Sequence, residues 1–386
     1  MSFQQIKPGH YERPLDTLEL FYRGIAASGK PFQKEPFLLS SVIQLKSVPP
    51  LPHLYQAWKA LRYRHPQIAA LADDTRLIYK VPSPATLDWM KQTFIIHANE
   101  IRSAADLEED LLPPSLVMVH YLPPSRELLF RSSHWRLDGI GMILLQNDFL
   151  ALLANGSDSN LQFDGPEVLR MPPGLDEALG IPSEITDEKK RGSEAELSAF
   201  ANGPAPPSVG KVLQNKAPGA SRHVSTTLWK ELSQQVLSAT VRPHIIPPDG
   251  RVVCSNTYDL RGKVPAPWNG PQGATGLYHS GRPCSVGLGR NPDYDAIAMT
   301  LTAHYQRSIQ PLFALRPFYV QNIGAMLAAP LELAIEAPGA AHPELSSLGV
   351  IDNRLETIHT GPAAMLKIED WWLGVQVISQ VLQGYV

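Results

Sequence analysis

Cysteine is nearly absent: 386 residues contain two, Cys254 and Cys284. That rules out a disulfide framework, and with no C-x-x-C or H-E-x-x-H pattern a metal site is not expected. Both read as ordinary interior thiols, which suits a reducing compartment, the cytoplasm. Charge is scarce as well. Asp, Glu, Lys and Arg make up 18% of the chain, with a formal net charge of −3, against about one quarter charged in ordinary soluble domains. A chain without a basic field is a poor partner for nucleic acid. No apolar run approaches the ~18 residues that span a bilayer. The opening "MSFQQIKPGHYERPLDTLEL" lacks an apolar core behind a basic start, so neither a membrane span nor a secretory signal is expected. Three nucleotide or nucleophile signatures are missing too: G-x-x-x-x-G-K-[ST], G-x-G-x-x-G after a strand, and G-x-S-x-G. Phosphoryl transfer, hydride transfer and serine hydrolysis lose ground accordingly. The glycines of "GATGLYHSGRPCSVGLGR" lack a phosphate-loop order and read as loop builders.

Apolar residues are plentiful at 44%, and proline reaches 36, as fits a compact enzyme or binding protein long enough for one large domain or two coupled ones. Turn formers crowd 155–225, which includes the charge run "DEKKRGSEAE", a solvated face in its plain reading. This divides the chain into an N-terminal half (1–190), a crossover linker (191–225) and a C-terminal half (226–386). In the first half, "RPLDTLELFYRGIA" starts a helix near Pro14 and Asp16, with an apolar stripe of Leu15, Leu18, Leu20 and Phe21. A second helix over "LPHLYQAWKALRYR" stops at His65-Pro66. "RLIYKVP", "SLVMVHYLP" and "RELLFRSSHW" read as strands, and "DGIGMILLQNDFLALLANG" as a strongly apolar helix ending at Asn155-Gly156. The second half repeats the alternation. "RVVCSNTYDLRG" reads as a strand, "YDAIAMTLTAHYQRSI" and "LRPFYVQNIGAMLA" as helices, and "ELSSLGVID" as a strand and loop. Together these patterns predict a mixed α/β fold with a sheet in each half.

One stretch carries chemistry: "SSHWRLDGIG", with His134 four positions ahead of Asp138-Gly139 at a strand–loop–helix junction. The plain reading is a partly buried histidine and an aspartate capping the helix. The chemical reading is a general base, because an unperturbed imidazole titrates near neutral pH. Asp138, turned inward, then needs a buried cation, since an unpaired carboxylate inside a fold is costly. Arg261 in "TYDLRG", beside Asp259, is the candidate partner and would fix the loop that carries His134.

His134-x-x-x-Asp138-Gly139 with Asp259-Leu260-Arg261 downstream resembles the acyltransferase superfamily of chloramphenicol acetyltransferase, plant alcohol acyltransferases and peptide-synthetase condensation domains. "YERPLDTLELFYR", "KEPFLLS", "LRYRHPQIAAL", "PPGLDEALGIP", "SSLGVID" and "EDWWLGVQVISQ" resemble segments of fungal O-acetyltransferases of the trichothecene type. The resemblance implies an α/β fold of two chloramphenicol acetyltransferase-like halves with a tunnel at their interface. It implies an acyl-CoA, such as acetyl-CoA, as cosubstrate, no permanently bound cofactor, and a hydrophobic secondary-metabolite alcohol such as a terpenoid or polyketide as acceptor. His134 would be the base, Asp138 its structural partner on Arg261, and Gly139 a close-packing residue at the helix start. Ser346 or Ser347 would supply an oxyanion donor, although a simple turn explains those serines equally well. The chain departs from the condensation-domain pattern at Ser133, where those proteins carry another histidine. It also lacks the Asp-Phe-Gly-Trp-Gly segment of the plant enzymes. Two alternatives stay open: a cyclase, dehydratase or isomerase using the same His134 pocket without acyl transfer, or a catalytically inactive binding protein of this fold. A monomer is favoured over an oligomer.

Overall fold

The computed structural model describes residues 2–30, 33–82, 86–158, 160–182, 184, 186–201, 251–287, 294–308, 343–346, 348–376 and 382–385. In chain order these form β1 (Gln4–Lys7), β2 (His10–Pro14), α1 (Thr17–Ser28), β3 (Leu39–Leu45), α2 (Leu51–Arg64), β4 (Leu71–Ala72), β5 (Arg76–Lys80), α3 (Thr86–Thr93) and β6 (Phe94–Ile96). Next come α4 (Ala104–Glu108), β7 (Met118–Leu122), β8 (Glu127–Ser132), α5 (Gly139–Asn155), α6 (Leu175–Ala178), α7 (Asp187–Ala201), β9 (Arg251–Asp259) and β10 (His279–Gly287). The last are α8 (Tyr294–Gln306), β11 (Pro343–Ser346), β12 (Ile358–Thr360), β13 (Met365–Val375) and β14 (Leu382–Tyr385).

The structural centre is a mixed sheet of order β12-β13-β3-β8-β7-β6, antiparallel except for the parallel β6–β7 pair. β3 and β8 lie inside it, and nearly all their residues are buried. Strands covered on both faces read as continuous apolar runs, as "LSSVIQL" and "ELLFRS" almost do. α5 lies against this sheet, with Met142, Ile143, Leu145, Phe149, Leu150 and Leu153 all buried. Trp58 of α2 meets Phe130 and Phe149 edge-on at 6.3 Å, so α2, α5 and the sheet share one core. A smaller sheet of order β1-β2-β5-β4 stands apart, and the ladders β9–β10 and β11–β14 are separate again.

Most sequence-derived elements fall where the pattern puts them. α1 begins at Asp16, whose side chain accepts from the Glu19 amide while Glu19 returns the contact, a complete capping box. α2 ends at His65, and α5 ends at Gly156 with φ +76°, a left-handed position suited to glycine.

Four readings change. Leu20, expected in the α1 stripe, is 45% exposed, while Ile25 is buried in its stead. The "loop" glycine segment contains β10, because its residues pair with β9 from His279↔Asp259 to Gly287↔Arg251. The charge run continues as helix α7 across the expected linker boundary; of the linker, 202–225 lies outside the described residues. Finally, β12 and β13, from the C-terminal half, complete the sheet of the N-terminal half by pairing with β3. The helix expected at 315–328 lies outside the described residues.

Candidate active site

His134 leaves the end of β8 on a short turn, and the three residues after it explain why that turn is stiff. Trp135 is buried in the small core beside Leu15, Leu77 and Tyr79. Arg136 lies over the Trp135 ring at 4.2 Å and donates to the carbonyls of Ala70, at 2.6 Å, and Ser115, at 2.5 Å. Leu137 enters the main core. Asp138 then caps α5, its Oδ1 accepting from the Gly141 amide at 2.7 Å.

Asp138 does more than cap. Arg261 donates from Nη1 to Oδ2 at 3.1 Å and lies with Nη2 3.0 Å from Oδ1, a two-pronged pair with each side chain only 5% exposed. The Tyr278 amide adds a third donor at 2.9 Å. Burial alone pushes the Asp138 carboxyl up, but the Arg261 charge, then that of His279, and these hydrogen bonds hold it below the ordinary carboxylate range. Arg261 also donates to the carbonyls of Gly273 and Gly276 and to Asp259. Asp259 in turn holds Arg354 at 2.9 Å. One ion pair thus ties the His134 turn, the start of α5 and the loop before β10 together.

The His134 ring itself is wrapped in other rings. Tyr22, from α1, stacks on it at 4.1 Å and 13°. Phe37 meets it edge-on at 6.4 Å, and His279 does so at 5.5 Å. Phe37 sits at φ +64°, a costly conformation for a bulky residue. Burial pushes the His134 imidazole down to about 4, outweighing the nearby Asp138 charge and its own carbonyl. It is therefore neutral at pH 7, the state a proton acceptor needs. Its Nδ1 is buried with no hydrogen-bond partner.

Beside it, Ser133 donates to Glu35 at 3.1 Å. Burial raises Glu35 to about 7, against the pull of Ser133 and of Arg136.

The structure brings His134, Asp138, Gly139, Asp259 and Arg261 to one place. Gly139 faces Leu348, which an added Cβ would meet at 3.0 Å. The tighter glycine is Gly141, where a Cβ would collide with the Ala274 carbonyl oxygen; close packing at the helix start belongs mainly to it. Ser347 lies outside the described residues, and Ser346 is described only as the last backbone position of β11. Sequence reasoning missed Tyr22, Phe37, Gly141 and His279. Tyr22 lies within the α1 pattern, but a search for an apolar stripe passes over a tyrosine that faces a site. His279 was lost with the strand that carries it. Among the described residues no cluster of three His, Cys, Asp or Glu fits a metal, and no helix is long and apolar enough to cross a membrane.

No family model matches the chain. It is 27% identical over 421 aligned positions to acetyltransferase pigO of Monascus ruber, covering 100% of this chain and 90% of the relative. O-acetyltransferase pigM of Monascus ruber is 28% identical over 197 positions, 50% of this chain and 38% of that protein. A protein of Epichloe uncinata named as loline biosynthesis cluster 1 transcription factor lolU1 is 30% identical over 46% of this chain and 40% of its own length. Among solved structures, TRI3 trichothecene 15-O-acetyltransferase from Fusarium sporotrichioides superposes with a TM-score of 0.74 at 16% identity, over 100% of this chain and 91% of that one. The structural match establishes the fold, and the full-length sequence relationship is to a protein named acetyltransferase. The chain thus shares the fold of TRI3 and is similar along its whole length to a fungal protein named acetyltransferase, with His134, Asp138 and Arg261 gathered at one place in that fold.

Proposed function

We propose that the protein transfers an acyl group, acetyl in the simplest case, from a coenzyme A thioester to the hydroxyl of a hydrophobic secondary-metabolite alcohol such as a terpenoid or polyketide. The observation that carries this reading is His134. It is a neutral imidazole on a rigid turn, stacked on Tyr22 and tied through Asp138 to Arg261. Such a group removes a proton from an acceptor hydroxyl as the oxygen attacks the thioester carbonyl. The imidazolium then returns the proton to the departing thiolate, so the group works twice without net change. Asp138 keeps its charge on Arg261 and acts as a positioning residue. The ring cage of Tyr22 and Phe37 suits an apolar acceptor and excludes water that would hydrolyse the thioester. Ser346 or Ser347 is proposed as a donor to the oxyanion.

The reading is tested by incubating the protein with labelled acetyl-CoA and a panel of terpenoid and polyketide alcohols. The label should pass into an ester with the native chain and not with His134→Ala. Conversion of a precursor that depends on His134 while the thioester stays intact would instead establish the cyclase, dehydratase or isomerase reading.

A further inference from the structure

Acyl transfer makes two demands at once: a base for the attacking hydroxyl and a hydrogen-bond donor for the carbonyl oxygen as it gains charge. His134 meets the first. Resting on the acyl-transfer reading above, we propose that His279 meets the second: its imidazole N–H donates to the thioester oxygen in the tetrahedral intermediate, which makes it a further catalytic residue of this site.

Three placements support this. First, His279 stands beside the base. Its ring centroid lies 5.5 Å from that of His134 at 67°, and 5.6 Å from Tyr22, the ring on which His134 stacks. Two imidazoles this close border one place, so a tetrahedral carbon lying against their edges can offer one oxygen to each at a hydrogen-bond distance of roughly 3 Å. The His279 residue is half-buried, whereas the Phe130 and Phe149 rings of the core are sealed completely. The His279 Nε2 is buried, which screens the donor from bulk water.

Second, His279 is held as firmly as His134, and by the same pair. Asp138 accepts the amide of Tyr278, the residue before His279. The Tyr278 carbonyl accepts from Leu260 at 2.7 Å, and its hydroxyl donates to Pro173 at 2.9 Å. His279 itself opens the β9–β10 ladder directly opposite Asp259, the other carboxylate on Arg261. The chain that leads in is close-fitting: a Cβ on Gly276 would lie 2.7 Å from the Tyr278 ring. The Asp138–Arg261 pair therefore carries a histidine on each side, one four residues before Asp138 and one next to the amide that Asp138 accepts. Preorganisation of this kind is what makes an oxyanion donor effective, because nothing need reorient as charge appears.

Third, an imidazole N–H dipole directed at the carbonyl oxygen has the right sign to favour a developing oxyanion.

In the step itself the acceptor O–H bond breaks and its proton moves to His134, while the new O–C bond forms. The carbonyl π pair moves onto oxygen, which His279 stabilises. On collapse the C=O bond re-forms, the C–S bond breaks, and the coenzyme A thiolate leaves with the proton from His134. His279 gains and loses nothing.

Two substitutions test the role. His279→Phe keeps a ring against Tyr22 and removes the donor, while His279→Gln keeps an N–H donor. Both are measured with acetyl-CoA and the acceptor alcohol, after thermal unfolding shows that each folds like the native chain. His279→Phe should lose about 100-fold in kcat with KM for acetyl-CoA within about threefold, and His279→Gln should recover most of that loss. A folded His279→Phe with kcat within threefold of native overturns the proposal, and so does a Gln variant as slow as the Phe variant. A native protein that consumes no thioester overturns the acyl-transfer reading and this role with it. An active native protein with an equally active Phe variant overturns this role alone.

Discussion

Arg261 grips Asp138 with both terminal guanidinium nitrogens, at 3.0 and 3.1 Å, across 123 positions of sequence and with both side chains buried. Removing one member of a buried pair strands the other, which costs about 3–5 kcal/mol. Arg261→Ala should therefore unfold far more readily than the native protein in a denaturant titration. Asp138→Ala in that background should cost much less than it does alone, giving a coupling of about 0.5–3 kcal/mol in a double-mutant cycle. Additive effects would mean the two residues are energetically independent.

Protonation should leave a clear mark on both rate and stability. His134 is held down to about 4 by burial. As a base it works only when neutral, so kcat/KM should stay level from pH 7 to about 5 and then fall as the imidazole charges. The folded form refuses a proton that the unfolded chain, with an ordinary imidazole near 6.5, accepts. Stability from this group is thus complete above about 6.5 and is lost as pH falls toward 4. His120, pushed down to about 3 mainly by burial, adds to the same trend. Unfolding free energy followed from pH 7 to 4 should fall, and His134→Gln should flatten part of that fall.

Glu35 should show the opposite slope. Burial raises it to about 7, so its folded form holds a proton more tightly than the unfolded chain does. Its contribution is complete below about 4.5 and disappears as pH rises through 7. Glu35→Gln keeps an acceptor for Ser133 and removes the buried charge. The variant should melt higher than the native protein at pH 8, with the gap closing at pH 5. An equal gap at both values would contradict the placement of this carboxyl.

The two glycines of "DGIG" should differ sharply. At Gly141 a methyl group runs into the backbone carbonyl of Ala274, and neither chain can yield without moving the loop that Arg261 holds. Gly141→Ala should cost about 1–3 kcal/mol. At Gly139 the nearest atom is the end of the Leu348 side chain, which can turn aside. Gly139→Ala should stay within about 1 kcal/mol, since alanine also favours the helix by a similar amount. Thermal unfolding of the two variants decides the order.

Much of this site was legible in the sequence because its parts are local. A capping aspartate before an apolar run, a histidine at a strand end, and a buried carboxylate that requires a cation all follow from a few residues and their chemistry. Arg261 was reachable by that last demand alone. What lay beyond reach depends on distant pairing. β10 hides in a glycine-rich stretch because its partner β9, and not its own alternation, makes it a strand. His279 is invisible until that register is known. β13 likewise reads as part of a second half, yet it pairs with β3 from Ile368↔Leu45 to Val375↔Leu39. No local pattern states which sheet a strand will join. Tyr22 was missed for another reason: helical periodicity sorts residues into apolar and polar, and a stacked tyrosine belongs to neither face cleanly.

Acyl transfer by His134 is tested most sharply by the rate of thiol release from acetyl-CoA in the presence of a terpenoid or polyketide alcohol, for the native protein and for His134→Ala. Truncating the stacked, half-buried ring should leave the fold intact, and melting curves accompany each rate. A general base at this position predicts acceptor-dependent release by the native chain and a loss of at least about 100-fold in kcat for the variant. A folded His134→Ala that releases thiol at the native rate would contradict it.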